Sequence, residues 1–397
     1  MVVKKIHLYA LSILLFIACF VALNKKYDPF YRVNGINNDN RALIEKYLDS
    51  KQQAYLIDNA IAVNLFIKYI EVPGFRLENY QFYNLLDKAR LFPDVASLIT
   101  NSNAIAIRLS IAFGDKAYQY CESLVSDNLV LAYLEKASFT FQNSNYYQIV
   151  RALYDNDDYQ YIDHANTYAL KLQNYNITSA KEKEETLKTL VNNYDKNSLH
   201  MLLTTPLQEG TTIVFQPRKN NVVIDQNHFI GSYEPNNIVE VLDISRSTYS
   251  SMYLDEGAYQ SLKRMYKDLQ AACGTGVILK KAYRNYGILS LHEDPTTLEK
   301  AGYSEFQLGT TVAFQHLNYS NEDFSHTDSY QWLLDNSYRY GYILRYPIDK
   351  ETITHKPYQN NIFRYVGEPL AATLHAHNWT LEEYNMQPTN QIEAIGE

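Results

Sequence analysis

The chain has 397 residues, 46% of them hydrophobic and 20% charged, which is ordinary globular composition with room for two or three cores and excludes extensive disorder. A formal net charge of -8 excludes nucleic acid as a partner, because phosphate binding needs a basic face. Tyrosine is abundant at 36 residues. These tyrosines are scattered, which fits ordinary core and surface use better than a glycan-stacking surface.

At the N-terminus Lys4-Lys5 precede an uncharged run from Ile6 to Leu23, and Lys25-Lys26 follow it. Eighteen residues rising 1.5 Å each span ~27 Å, enough for the hydrocarbon layer of a membrane. No small-x-small cleavage site follows the run, and Phe16-Ile17-Ala18-Cys19 is a poor lipoprotein box. Residues 1–26 therefore read as an uncleaved signal-anchor, with a cleaved signal peptide as the alternative. The first reading gives a single-pass membrane protein with an extracytoplasmic bulk, and the second a secreted one. Cys121 and Cys273 are the two cysteines beyond this segment. Without a CxxC pair they read as two buried thiols, with a disulfide left open.

Residues from about 38 to 200 carry helical periodicity, which gives a helical repeat domain at 27–200. Leu43, Ile44, Tyr47 and Leu48 mark one helix face, and Leu65, Phe66, Tyr69 and Ile70 mark another that Pro73-Gly74 stops. An internal repeat is present. Asn64-Leu65, Tyr69-Ile70-Glu71, Phe75, Asn79 and Tyr83 recur as Asn128-Leu129, Tyr133-Leu134-Glu135, Phe139, Asn143 and Tyr147, at a constant offset of 64 residues. Stacked helical units bury a shared core and often present a binding surface, so both a binding module and a spacer remain open. The run Lys181 to Glu185 heads a further helix reaching about Tyr194, with a solvated charged face.

From residue 205 to about 390 helices and strands mix, with the boundary placed near residue 200. Thr211 to Phe215 and Asn221 to Ile224 read as strands, and Tyr233-Glu234-Pro235-Asn236 reads as a turn. Asp255 to Ala272 is a helix with Asp255 as N-cap and Gly274 as stop. Val277 to Leu279 is a strand, Gln331 to Tyr340 a helix closing at Gly341, and Tyr342 to Tyr346 a strand. This order predicts an α+β domain preceded by an all-α helical repeat domain and the apolar anchor helix.

Within the last region a series of motifs stands in one order. Asn236-Asn237-Ile238-Val239 is followed by Ala282-Tyr283-Arg284-Asn285-Tyr286, and then by Ser304-Glu305-Phe306-Gln307-Leu308-Gly309 running on to Ala313. After these come Tyr338-Arg339-Tyr340-Gly341-Tyr342-Ile343-Leu344-Arg345-Tyr346-Pro347, then Gln359 to Gly367, and finally Leu381-Glu382-Glu383-Tyr384. The series resembles the PxDLV, SGYRSY, SEHxxGxxxD, YxYGFILRYP and EPWHFRYVG segments of VanY-type D-alanyl-D-alanine carboxypeptidases. The resemblance implies a VanY/hedgehog-like fold.

In that family the metal stretch and the last segment supply zinc ligands and a catalytic glutamate. Here the resemblance puts Phe306, Ala313 and Ile362 at the ligand positions and Gln359 at the glutamate. Three hydrocarbon side chains offer no lone pair to Zn²⁺, and a carboxamide accepts no proton at neutral pH. The expectation is therefore an inactive homologue without a cofactor, its zinc lost. The arginine of the family's YRS contacts a substrate carboxylate, so Arg284, with Tyr283 beside it, is the candidate ligand-binding residue. Asn285 and Leu289 replace two further family positions. His316, His326, His355, His375 and His377 read as packed or solvated rather than as a rebuilt metal site.

The resulting expectation is an extracytoplasmic binding or scaffolding protein for peptidoglycan stem peptides or wall enzymes, held to the membrane through residues 6–23. Two alternatives stand beside it: an active D,D- or L,D-carboxypeptidase using other ligands, and a protein–protein adaptor acting through the helical repeats.

Overall fold

The fold is taken from a computed structural model, which describes residues 2–31, 33–247, 250–274, 277–291, 300–317 and 323–388. It comprises two compact units, Met1–Phe139 and Thr140–Glu397.

The first unit begins with the helix Val2–Tyr27. Its segment His7–Asn24 has a mean hydropathy of 2.0 and no buried residue, so it is long and apolar enough to cross a membrane. Leu8, Leu11, Leu14, Leu15 and Phe16 are all more than 60% exposed along it. A second apolar stretch, Val95–Ser126, is one-third buried and belongs to the packed helices of this unit.

The short helices Asn38–Tyr47 and Ser50–Asp58 each start at a reciprocal cap, made by Asn37 with Asn40 and by Asp49 with Gln52. The periodicity at Leu43 to Leu48 is borne out, since Ile44 and Leu48 enter the core with Phe30, Leu56, Phe66 and Leu77. The face marked by Leu65 to Ile70 is not one α-helix. It is two 3-10 turns, Val63–Leu65 and Ile67–Tyr69, separated by Phe66 at φ -134. Burial is kept all the same, because turns of three residues also bring Phe66, Tyr69 and Ile70 inward.

The 64-residue repeat reappears as a repeated hydrogen-bond network. In the first unit the Tyr83 hydroxyl accepts from the Arg76 amide at 3.0 Å and donates to Asn103 Oδ1 at 2.6 Å. Asn79 Nδ2 donates to the same oxygen at 2.8 Å. In the second unit Tyr147 accepts from the Thr140 amide at 3.0 Å and donates to Asn166 Oδ1 at 2.8 Å, while Asn143 Nδ2 donates to it at 2.7 Å. Both tyrosines are fully buried, so each needs these partners for its hydroxyl. Each copy is a 3-10 turn leading into a helix, Leu77–Asn79 into Tyr80–Ala89 and Phe141–Asn143 into Ser144–Val150. Each asparagine acceptor comes from the next helix, Val95–Phe113 or Gln160–Lys171.

The change of texture near residue 200 is a change of secondary structure. The helices Gln160–Lys171, Ala180–Asn193 and Lys196–Thr204 belong to the same compact unit as the sheet. Two small pairings follow: β1 (Thr212–Ile213) runs parallel to β2 (His228–Phe229), and β3 (Ile238–Glu240) antiparallel to β4 (Tyr253–Asp255). Asn221 to Ile224 is not a strand. Its amide ladder is unmade, the Val222 amide turning back to the Lys219 carbonyl, and its apolar residues pack from irregular chain.

The main sheet has four antiparallel strands in the order β5 (Val277–Lys281), β6 (Thr311–His316), β8 (Gln359–Tyr365) and β7 (Tyr342–Tyr346). One face packs against the helix Glu256–Cys273. Leu262, Met265 and Leu269 from the helix meet Val277, Leu279, Val312, Phe314 and Phe363 from the strands. Asp255 caps that helix by accepting from the Ala258 amide at 3.0 Å, and Gly274 ends it at φ +72, as the sequence predicts. The predicted helix before Gly341 is α-helical only over Asp328–Asn336 and continues as a 3-10 turn, Ser337–Tyr340. Gly341 has φ +78, and a Cβ there would lie 2.7 Å from the Tyr365 ring and 2.9 Å from the Glu368 nitrogen.

Candidate functional site

The opposite face of the sheet carries the residues that the sequence singled out. Strand alternation sends Val312 and Phe314 to the helix side and Ala313 to this side. The register pairs Ala313 directly with Ile362. Phe306 reaches the same spot from the 3-10 turn Glu305–Leu308, which Ser304 caps by accepting from the Phe306 amide at 3.3 Å. Tyr346 comes from the end of β7, where its backbone pairs with Gln359. Phe306, Ala313, Tyr346 and Ile362 form one buried cluster, none more than 6% exposed. Gln359 is half-buried at the start of β8.

Arg284 is tied to this cluster through the backbone, its amide donating to the Phe306 carbonyl at 3.2 Å. The Tyr283 amide donates to the Tyr253 carbonyl at 2.9 Å, and burial pushes the Tyr283 phenol above its ordinary value. Asn285 serves structure, since Oδ1 accepts from the Ile288 amide at 2.8 Å at the start of the helix Tyr286–Leu291. Leu289 is buried.

On this same side lies a network of buried charges. Glu305 accepts from Arg345 Nε at 2.7 Å through one oxygen and from Arg364 Nη1 at 3.1 Å through the other. Arg345 also makes a two-pronged pair with Glu382, at 3.1 and 2.7 Å. Burial opposes the charge on Arg345, but Glu305 and Glu382 outweigh it and hold the guanidinium above its ordinary value. For Arg364 burial wins and lowers the value, with Glu305 opposing. Burial also drives the Tyr346 phenol far up, so it stays neutral beside the network. Gln307 is scaffold: its amide nitrogen donates to the carbonyls of Gly231 and Tyr233, at 2.8 and 3.0 Å, and its oxygen accepts from the Gly302 amide at 3.1 Å.

The histidines are placed elsewhere. His316 pairs in register with Val277, which puts it on the helix side of the sheet, away from Ala313. His375 stacks on Tyr338 at 3.8 Å and His377 on Trp379 at 4.3 Å. His355 is exposed at a left-handed position with φ +54, and His326 ends a 3-10 turn. Among the described residues no three His, Cys, Asp or Glu side chains gather as a metal would require. Cys121 is buried, and burial pushes its thiol up to about 12. Cys273 is only half-buried, being near the frayed end of its helix.

Sequence reasoning missed Tyr346 and Lys356. Tyr346 completes the apolar cluster because of the β7–β8 register, which composition does not encode. Lys356 is half-buried, and burial lowers its ammonium while Asp225 and Glu305 oppose that.

The profile of the VanY family, D-alanyl-D-alanine carboxypeptidase, matches residues 251–368. The chain is 29% identical over 194 residues to the putative carboxypeptidase YodJ of Bacillus subtilis, covering 44% of this chain and 70% of that protein. It is 30% identical over 138 residues to a D-alanyl-D-alanine carboxypeptidase of Enterococcus faecium, covering 34% of this chain and 45% of that one. Among solved structures, the LdcB LD-carboxypeptidase aligns with a TM-score of 0.41 and 27% identity, over 45% of this chain and 91% of its own. A vancomycin-resistance D,D-pentapeptidase VanY in complex with Zn(II) aligns with a TM-score of 0.33 and 23% identity, over 42% of this chain and 98% of its own.

These findings correct one expectation. The expectation was no cofactor with the zinc lost, whereas VanY homologues are zinc-dependent. Phe306, Ala313 and Ile362, which the family resemblance sets at the ligand positions, carry no donor atom for that ion. The motifs, the sheet register and the profile agree on the assignment: residues 251–368 form a domain of the VanY D-alanyl-D-alanine carboxypeptidase family.

Proposed function

We propose that this domain is a non-catalytic, extracytoplasmic module that binds peptidoglycan stem peptides, held at the membrane by the helix Val2–Tyr27. One observation carries the reading: the buried cluster of Phe306, Ala313, Tyr346 and Ile362, with a carboxamide at Gln359. Peptide hydrolysis needs a proton acceptor within hydrogen-bond reach of the attacking water, and Gln359 is not one. Arg284, fixed beside Phe306, is the group suited to a terminal carboxylate, because its planar fork matches two carboxylate oxygens. The exposed apolar helix, flanked by Lys25 and Lys26, supports membrane attachment.

The test uses the full chain in mild detergent, with zinc supplied and a D-alanyl-D-alanine-terminated pentapeptide as probe. The expected result is peptide binding without release of D-alanine. Arg284→Ala is expected to weaken that binding roughly tenfold, the loss of one charge-assisted contact. Sustained D-alanine release overturns the non-catalytic reading and favours an active carboxypeptidase. Absence of peptide binding overturns the binding role.

A further inference from the structure

The second unit holds a cavity that shares no residue with the cluster at Phe306 or with Arg284. It measures about 310 Å³ and lies where residues 217–220, the turn at 233–237 and the end of β8 meet. Arg218, Lys219, Asn220, Tyr233, Thr310 and Arg364 are among its lining residues. Arg364 is only 2% exposed. Its Nη1 donates to Glu305 and its Nε to the Tyr365 carbonyl at 3.3 Å, but its Nη2 meets no acceptor among the described residues. The hydroxyl oxygen of Thr310 is buried without a hydrogen-bond partner, whereas Arg364 Nη2 is not wholly buried. One accessible guanidinium edge and one unmatched buried hydroxyl at the same cavity favour an acceptor from outside the chain.

The charges point to the kind of acceptor. Arg345 and Arg364 are balanced by Glu305 and Glu382, so that network is neutral. Asp255 also lines the cavity, but both of its oxygens are engaged, one by the Ala258 amide and the other by the Asn237 side chain. Arg218 and Lys219 enter no ion pair among the described residues, and Arg218 lies beside the Tyr233 phenol. Two cations against Asp255 leave one net positive charge at the rim.

We propose that this cavity binds a monoanionic oxyanion, the carboxylate of a peptide or a phosphodiester. Arg364 and Thr310 act from the floor, and Arg218 and Lys219 from the rim. A guanidinium held by its own carboxylate keeps Nη2 aimed at the ligand, which limits the ordering cost of binding. The rim cations, Arg218 exposed and Lys219 half-buried, add a salt-dependent attraction.

The test is saturation-transfer NMR on the full chain in detergent at matched ionic strength, with acetate and dimethyl phosphate as separate probes. Transfer to at least one probe is expected, with an apparent Kd weakened roughly tenfold in the R218A/K219A double variant. Transfer to acetate identifies a carboxylate ligand and transfer to dimethyl phosphate a phosphodiester. The signal is expected to persist in R284A, which separates this site from the proposed peptide cleft. Silence of both probes, an unchanged double variant, or loss of the signal in R284A overturns the assignment.

Discussion

Replacing Glu305 by glutamine tests whether the buried charge network holds the VanY-type domain together. Glu305 is 4% exposed and spans two guanidiniums, at 2.7 Å to Arg345 and 3.1 Å to Arg364. In Glu305→Gln, Arg345 still has Glu382, but Arg364 keeps no carboxylate and stays buried. An uncompensated buried charge costs about 3–5 kcal/mol. Glu382→Gln is a built-in comparison, since its side chain is at the edge of the network and Arg345 would retain Glu305. Its expected cost is smaller, about 1–3 kcal/mol. The chain's two tryptophans, Trp332 and Trp379, both lie in the second unit, so fluorescence-detected thermal unfolding reports that unit alone. At about 2–4 °C per kcal/mol for a unit of this size, Glu305→Gln should lower the midpoint by roughly 6–20 °C. A midpoint within 2 °C of the parent, or a larger loss in Glu382→Gln, would refute the reasoning.

Two further outcomes are expected. Asn103→Ala strands the Tyr83 hydroxyl and the Asn79 amide, and should destabilise the first unit by about 1–3 kcal/mol; faster hydrogen exchange across Tyr80–Ala89 is the readout, and unchanged protection counts against the repeat network. Burial pushes the Asp225 carboxyl up, but the His228 ring at 2.7 Å and the Asn227 amide at 2.8 Å outweigh it and hold it below its ordinary value of 3.8. Because the folded value is the lower one, this carboxylate's contribution is full above the unfolded value and is lost as pH falls below about 4. Asp225→Asn should therefore flatten the acid side of the tryptophan-detected stability profile between pH 5 and 2, and an unaltered acid limb would contradict the pairing.

Much of the domain could be read from local chemistry. Asp255 and Gly274 bracket their helix because a side-chain acceptor at one end and a left-handed glycine at the other are encoded by single residues. Phe306, Ala313 and Ile362, singled out by the motif series, came together because β6 and β8 pair Ala313 with Ile362. The misreadings were all tertiary. Asn221 to Ile224 has strand composition but no neighbour to pair with, and Leu65 to Ile70 has helical spacing that two tighter turns satisfy equally well. The acceptors Asn103 and Asn166 stand 63 residues apart rather than 64, so the offset that revealed the repeat hid its hydrogen-bond partners. The expectation of no cofactor rested on three hydrocarbon side chains, and the zinc dependence of VanY homologues overturns it.

Glu305, Arg345, Arg364 and Glu382 form an open chain of three ion pairs that balances its own charge. This half of the sheet therefore has a source of cohesion besides the side chains at positions 306, 313, 359 and 362. Side chains at those four places can change without leaving a buried charge of this chain unpaired.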